Sequence, residues 1–207
     1  MDIAARLKDA RVAPVIRTST EAAARHGVAL LAEEGFDLFE ITLTTPGAMS
    51  IIADLAKDDS LCIGVGTVLT ADHGKAAMDA GASFVVSPAF IPGLVEAAAG
   101  APVALGAATP SEALRAYEDG AAFVKVFPAA QLGGPGFVKA LRSVYPMIDI
   151  MPTGGIEAAN MADYLAAGAV CVGMGGKLVN DAALQNGDDG AIRAAARDVR
   201  AALAAIA

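Results

Sequence analysis

Eight short apolar runs, separated by segments of helical pattern, constrain the fold of this chain more than any other feature. The runs lack the alternation of apolar and polar residues that a half-exposed strand shows, so we expect strands covered on both faces. Alternation of such strands with helices predicts a parallel sheet, and eight of them predict an α/β fold, a (β/α)₈ (TIM) barrel. We expect one such domain over residues 1–207. The predicted strands are 12–16, 38–43, 61–65, 84–87, 102–105, 122–127, 148–151 and 169–172.

Composition narrows the choice of partners. The chain has 207 residues, is 55% hydrophobic and carries a formal net charge of −8. This acidic balance disfavours nucleic acid and anionic membranes, so an anionic substrate would need local positive groups. With no apolar signal segment or membrane-spanning run, we expect a cytoplasmic protein. Cys62 and Cys171 lie within apolar runs and are interpreted as buried thiols.

Local signals support the helix assignments. Residues 18–21 and 109–112 both read as capping boxes, with Thr18 and Thr109 as the predicted N-caps. They introduce predicted helices at 21–34 and 111–119. The stretch 186–190 is predicted to be a surface turn before the last helix.

Lys125 is the most informative polar residue because it lies inside the sixth predicted strand. A lysine that points outward between helices, or one in a buried structural ion pair, would also fit this position. The functional hypothesis is a lysine that points into the C-terminal mouth of the barrel, where active sites of this fold lie. Burial there disfavours the ammonium form and provides the neutral amine that can form an imine with a ketone.

Glu40 lies in the middle of the second predicted strand and also needs a partner. It could belong to a core ion pair or face the helix layer. Alternatively, it could act as a general acid and base beside Lys125, moving protons during imine formation and at a substrate hydroxyl.

Polar residues also follow the early strands. Arg17 ends the first strand and is a candidate anion ligand, or a solvated loop arginine. Thr42, Thr44 and Thr45 crowd the end of the second strand, and Thr67 ends the third. They are candidate substrate ligands, although threonine also favours strands and helix caps. Thr45, before Pro46, is interpreted as a cap.

Two glycine clusters follow the seventh and eighth strands, at 152–155 and 173–177. Turns need glycine in any case. Both clusters, however, fall at the loops where barrels bind phosphate through backbone N–H groups, so together they predict a phosphate site. Thr153 and Lys177 could add donors. His26 and His73 lie in helical segments without metal-site spacing, so we expect neither a metal nor another cofactor.

Several motifs, in this order, resemble the 2-keto-3-deoxy-6-phosphogluconate (KDPG) aldolase family, which includes 4-hydroxy-2-oxoglutarate and 2-keto-3-deoxy-6-phosphogalactonate aldolases. The resemblance runs from residue 14 to about 179. The matching segments are Glu40-Ile41-Thr42-Leu43, Gly64-Val65-Gly66-Thr67-Val68-Leu69, Val86-Ser87-Pro88, Ala108-Thr109-Pro110-Ser111-Glu112, Lys125-Val126-Phe127-Pro128-Ala129 and Pro152-Thr153-Gly154-Gly155-Ile156.

The resemblance implies a metal-independent class I aldolase, usually a homotrimer, that forms pyruvate and glyceraldehyde 3-phosphate. It implies Lys125 as the Schiff-base lysine, Glu40 as the general acid and base, and Thr67 as a residue near the pyruvyl carboxylate. Expected substrate contacts are Arg17, Thr44, Thr67, Pro88, Phe127 and Thr153. Expected phosphate contacts are Gly154, Gly155, Gly175 and Gly176.

Four departures bear on the substrate. Thr44 stands where the phosphogluconate branch usually has an arginine, and Arg17 is the candidate substitute. The segments 87–90 and 106–109 also differ from the usual sequences, and Lys177 is unusual for that branch. The alternatives within the class are therefore phosphogalactonate or 4-hydroxy-2-oxoglutarate cleavage. A phosphate-binding isomerase or epimerase with Glu40 as base, and a sugar-phosphate binder without turnover, are the alternatives from other classes.

Overall fold

The computed structural model describes residues 2–206, which form eight strands and ten helices. The strands are β1 (Val12–Ile16), β2 (Leu38–Thr42), β3 (Cys62–Gly66), β4 (Val85–Val86), β5 (Val103–Ala107), β6 (Phe123–Val126), β7 (Ile150–Pro152) and β8 (Val172–Met174). The helices are α1 (Ile3–Ala10), α2 (Glu21–Glu33), α3 (Ala48–Leu55), α4 (Ala71–Asp79), α5 (Leu94–Ala97), α6 (Pro110–Glu118), α7 (Gly134–Val144), α8 (Met161–Ala166), α9 (Asp181–Gln185) and α10 (Asp189–Ala204).

The strands form one parallel sheet in the order β7-β6-β5-β4-β3-β2-β1-β8. Two isolated parallel bridges, Ile150 with Ala169 and Thr153 with Gly173, join β7 to the β8 region. They close the sheet on itself, and helices alternate with its strands. The predicted (β/α)₈ barrel is therefore confirmed.

The strand predictions are confirmed in position, with shifted ends. β1 has the predicted bounds, whereas β4 is reduced to two residues. β8 begins at Val172, three residues after its predicted start. Ala169, the first residue of the predicted strand, forms only an isolated bridge with Ile150. Continuous pairing with a neighbouring strand begins at Val172.

Large apolar side chains fill the lower part of the barrel interior. Phe84 and Phe123 pack there with the two buried thiols of Cys62 and Cys171, and Leu7 of α1 closes the bottom. Burial of each such aromatic side chain contributes roughly 1.5–3 kcal/mol. Because the bottom is filled, the open part of the interior lies at the C-terminal mouth.

One capping prediction is confirmed and two are wrong. Thr109 accepts a hydrogen bond from the backbone N–H of Glu112 and caps α6 as predicted. α2, however, is capped by Thr20, whose hydroxyl accepts from Ala23 N–H at 3.2 Å. The predicted cap, Thr18, is buried and donates its hydroxyl to the carbonyl of Thr20.

Thr45 is not a helix cap either. α3 follows Gly47, which adopts φ 73° and provides no side-chain cap. The Thr45 hydroxyl instead accepts from the backbone N–H of Thr18 at 3.3 Å, which ties the loops after β1 and β2 together.

Other predictions concern the surface. His26 and His73 lie on α2 and α4; His73 is exposed and His26 is 2.7 Å from Asp189. The predicted turn at 186–190 is shorter than expected, because α10 begins at Asp189. Among the described helices, none combines the length and apolar character needed to cross a membrane.

Candidate active site

Lys125 and Glu40 meet inside the barrel although they are 85 positions apart in the sequence. Lys125 lies on β6 opposite Gly106 of β5, and Glu40 lies on β2 opposite Gly64 of β3. Lys125 Nζ is 3.6 Å from Glu40 Oε1, and the two side chains are 4% and 0% exposed. The approach is longer than a good hydrogen bond, which leaves both groups available for other partners.

Glycine provides the space for the Glu40 carboxylate. A Cβ atom at Gly66, on the neighbouring strand, would lie 2.6 Å from Glu40 Cδ and would overlap its Oε1. Among residues 2–206, neither carboxylate oxygen of Glu40 has a hydrogen-bond partner. A buried carboxylate without hydrogen bonds is costly and is a common feature of catalytic sites.

Above this pair lies a cavity of about 450 Å³, which opens at the C-terminal mouth. Lys125 reaches it, and its Nζ is 5.8 Å from the centre of the Phe127 ring. Three cations, from Arg17, Lys125 and Lys177, line the cavity, so it is suited to an anionic ligand despite the net negative charge of the chain. The lining residues are Val15, Arg17, Thr44, Thr67, Pro88, Lys125, Phe127, Thr153, Gly154, Gly155, Ile156, Gly173, Gly175, Gly176 and Lys177.

On one side of the cavity, Arg17 donates a hydrogen bond to the Thr67 hydroxyl at 3.1 Å. Thr67 has φ 59°, a left-handed conformation that is rare and strained for a β-branched residue. Nearby, the hydroxyl groups of Thr42 and Thr44 are 3.0 Å apart. This side therefore presents a guanidinium group beside hydroxyl groups, which is the chemistry that binds a carboxylate.

Glycine turns from β7 and β8 form another part of the wall. Gly154 and Gly155 adopt φ 100° and 75°, a conformation that needs glycine. Thr153 is only 8% exposed, and its hydroxyl has no hydrogen-bond partner within the described part of the chain. A Cβ atom at Gly173 would overlap this hydroxyl, so the glycine makes room for it.

An asparagine that the sequence analysis missed braces this glycine loop. Asn160 accepts from the backbone N–H of Glu157 and donates to the carbonyl of Gly155, both at 3.0 Å. Within residues 2–206, the hydrogen bonds of this region do not use the backbone N–H of Gly155 or Gly176 as a donor. Those N–H groups can therefore donate to a ligand.

The structure brings the predicted site residues together. Of the candidate catalytic, substrate and phosphate residues, three do not line the cavity: Glu40 lies buried beside Lys125, and the buried Thr42 and Thr45 donate their hydroxyls to the carbonyl of Ile16. Val15, Ile156 and Gly173 also line the cavity, although none of the three was predicted individually as a ligand. The first two carry no signal beyond apolar character, whereas Gly173 belongs to the glycine cluster already singled out.

Comparisons with known proteins agree with this geometry. Residues 3–195 match the family model "KDPG and KHG aldolase". The chain belongs to this aldolase family and is a lyase that cleaves a carbon–carbon bond. The resemblance inferred from the motifs is therefore confirmed.

Individual relatives support the same family. A 2-dehydro-3-deoxy-phosphogluconate aldolase of Pseudomonas aeruginosa is 40% identical over 185 residues, covering 87% of this chain and 84% of the relative. A probable 2-dehydro-3-deoxy-6-phosphogalactonate aldolase of Rhizobium meliloti is 38% identical over 156 residues, covering 73% of each chain. The crystal structure of KDPG aldolase from Legionella pneumophila, with pyruvate captured as a covalent carbinolamine intermediate, is 32% identical. It has a TM-score of 0.85 and covers 96% of this chain and 98% of that one.

Proposed function

We propose that this enzyme cleaves 2-keto-3-deoxy-6-phosphogluconate to pyruvate and glyceraldehyde 3-phosphate through an imine on Lys125. The observation that carries the proposal is the position of Lys125 Nζ, which faces the cavity 3.6 Å from a buried carboxylate that has no hydrogen-bond partner among residues 2–206. In a purely structural buried ion pair, further hydrogen bonds would be expected to satisfy the remaining oxygen. Similarity to aldolases of this substrate supports the choice.

In the first stage, Lys125 passes one proton to the Glu40 carboxylate, and the resulting neutral amine attacks the C2 ketone. One proton moves from nitrogen to the former ketone oxygen to complete the carbinolamine, and Glu40 gives its proton to this hydroxyl group, which leaves as water. The result is an iminium ion between Lys125 and C2.

In the second stage, the Glu40 carboxylate removes the proton of the C4 hydroxyl, directly or through one water. The C3–C4 bond then breaks, its electron pair moves into the iminium group, and glyceraldehyde 3-phosphate leaves. The remaining enamine takes a proton at C3, and water hydrolyses the resulting imine to pyruvate and free Lys125. General acid and base catalysis of this kind contributes roughly 10²–10⁴-fold.

The two ends of the substrate require different binding groups. We assign the carboxylate of the keto acid to Arg17 and Thr67, whose hydrogen bond fixes the guanidinium group beside the hydroxyl. Thr44 lines the same cavity in place of the arginine usual for the branch, so Arg17 provides the missing positive charge. Pro88 and Phe127 supply apolar wall contacts.

We assign the phosphate to the glycine turns, with Thr153 as an additional donor. Backbone N–H groups bind phosphate well because they approach closely and carry partial positive charge. The glycines of this end are Gly154, Gly155, Gly175 and Gly176.

The substrate proposal is tested by following pyruvate release from the phosphogluconate-derived acid and from its C4 epimer. We expect cleavage of the first, with loss of turnover in Lys125→Ala. The matched control is Lys139→Ala, which removes an exposed lysine of α7. If a folded wild-type sample turns over neither acid, the proposal is refuted. If it prefers the C4 epimer to the phosphogluconate-derived acid, the enzyme belongs to the phosphogalactonate branch.

We further propose that residues 1–207 act as one domain, that the enzyme is a cytoplasmic homotrimer, and that it needs no cofactor. The family resemblance supports the trimer and the cofactor-free mechanism, and the family match over residues 3–195 supports a single domain. The free, buried thiols of Cys62 and Cys171 suit a reducing compartment. Analytical ultracentrifugation tests the assembly: a monomer at micromolar concentration would contradict it.

A further inference from the structure

Lys177 occupies a ridge between two concave surfaces of the barrel mouth. On one side it lines the main cavity, beside Gly175 and Gly176. On the other it lines an outer groove with Glu157 and Asp198. Its side chain is 67% exposed and flexible, so a change of rotamer can carry the ammonium group from one surface to the other.

In the structure, Lys177 is directed towards the outer side. Its Nζ is 3.2 Å from Glu157 Oε2, and the Glu157 side chain is 44% exposed. An ion pair this exposed contributes little to stability, because water screens its charges and both side chains lose rotamer freedom in forming it. A phosphate monoester carries nearly two negative charges near neutral pH and offers three oxygens, so it can compete with Glu157 for the ammonium group.

The cavity side has room for such a group. A Cβ atom at Gly176 would meet no atom within 4 Å, and the residue does not adopt a left-handed conformation. Neither packing nor backbone conformation therefore demands glycine at this position. The space that a side chain would fill is left to a ligand, next to Lys177.

The other two cations of the cavity are engaged elsewhere. Arg17 is hydrogen-bonded to Thr67, and Lys125 lies beside the Glu40 carboxylate and is the nucleophile of the proposed mechanism. Lys177 is therefore the lining cation that can neutralise a phosphate held by the glycine turns.

We propose that Lys177 selects phosphorylated substrates by exchanging its ion pair with Glu157 for one with the terminal phosphate. This inference rests on the proposed function, since it assigns a selecting residue to the phosphate end of that substrate. It predicts that Glu157 and the ligand compete for Lys177. The Lys177–Glu157 pair should therefore lower the affinity of the cavity for weakly charged anions, whereas a phosphate should displace Glu157.

The test compares Lys177→Met with Lys75→Met as a matched control. Lys75 forms a similarly exposed ion pair, with Asp79 at 2.7 Å, on α4. The selectivity is the ratio of kcat/KM for the phosphorylated acid to that for unphosphorylated 2-keto-3-deoxygluconate. Loss of a charge-assisted contact should lower this ratio roughly 10–100-fold in Lys177→Met, mainly through KM for the phosphorylated acid. The control should keep the wild-type ratio.

Binding of glycerol 3-phosphate, measured by calorimetry, provides a readout that needs no turnover. Its Kd should rise about tenfold or more in Lys177→Met, be restored largely in Lys177→Arg, and fall up to about fivefold in Glu157→Gln. An unchanged Kd in Lys177→Met would overturn the inference. Weaker binding of glycerol 3-phosphate to Glu157→Gln would contradict the proposed exchange of ion pairs. The Lys177–Glu157 pair would then hold the glycine loop in its binding conformation and would not compete with the ligand.

The two proposals fail in different ways. If the wild-type enzyme cleaves neither acid, the proposed function is wrong, whereas the glycerol 3-phosphate titration still decides the role of Lys177. If cleavage occurs and Lys177→Met lowers kcat/KM equally for both acids, Lys177 does not select the phosphate and the inference is wrong.

Discussion

Gly66→Ala should separate the Glu40 carboxylate from Lys125 without changing either group. The added Cβ atom would lie 2.6 Å from both Cγ and Cδ of Glu40, where ordinary contact begins near 3.4 Å. The two carbon atoms must therefore retreat by about 0.8 Å, and Oε1, which the added atom would overlap, must retreat further; a misplacement near 1 Å can cost roughly 10²-fold in rate. We expect kcat to fall by about that factor, with a smaller change in KM.

The assay is pyruvate release at saturating substrate, accompanied by urea unfolding. Overpacking of the interior should lower the free energy of unfolding by about 1–3 kcal/mol, so a folded sample should remain. Gly136→Ala is the control because its Cβ atom meets nothing within 4 Å; it should keep wild-type activity.

A double variant refines the interpretation. Glu40→Ala removes Cγ, Cδ and Oε1, the atoms that a Cβ atom at position 66 would meet. Gly66→Ala should therefore slow the residual reaction of the Glu40→Ala enzyme much less than it slows the wild type. If Gly66→Ala keeps kcat within twofold of wild type, the proton-transfer role assigned to a tightly placed Glu40 is refuted.

Three further predictions concern stability and reactivity. Thr67→Asn should raise the free energy of unfolding by about 1 kcal/mol, because asparagine tolerates the left-handed conformation better. It should also raise KM, since Thr67 lines the substrate cavity. An unchanged free energy of unfolding in a urea titration would contradict the first expectation. Burial raises the pKa of the Cys62 thiol and raises that of Cys171 to about 12, so neither should react with a disulfide reagent at pH 8 until the protein is unfolded. Hydrogen bonding to Arg197 lowers the pKa of Glu34, so its stabilising contribution is full above the unfolded pKa near 4.5 and is lost as pH falls through the folded pKa. As pH falls below about 4.5, Glu34→Gln should lose less free energy of unfolding than the wild type. If the free energy of unfolding depends on pH identically in the two proteins, Glu34 does not make this contribution.

Much of the fold could be predicted from the sequence because both faces of the strands are covered. That burial produces continuous apolar runs such as 12–16 and 38–43, and it makes a charged residue within a run conspicuous. Lys125 and Glu40 were recognisable for this reason. Their distance was not, because it depends on strand tilt, closure and the register of β2 and β6 against their neighbours.

Other features depend on contacts between distant segments. Gly66 appears in the sequence as a small residue near a strand end, and only the barrel reveals that it accommodates Glu40. Asn160 resembles an ordinary polar residue at a helix start, yet its side chain braces the glycine loop. Thr18 carries the capping-box signal because Glu21 lies three residues after it, yet the cap of α2 is Thr20, since the backbone N–H of Thr18 is held by the Thr45 hydroxyl of the neighbouring loop.

Borohydride reduction in the presence of pyruvate, followed by peptide mass mapping, tests the central claim most directly. An imine on Lys125 would be trapped as a stable pyruvyl adduct on the peptide that contains it. We expect this adduct in the wild type and in Lys139→Ala, and its absence in Lys125→Ala. If no lysine of a folded wild-type sample is modified, or if the adduct forms on another lysine and persists in Lys125→Ala, the assignment of Lys125 as the nucleophile is wrong.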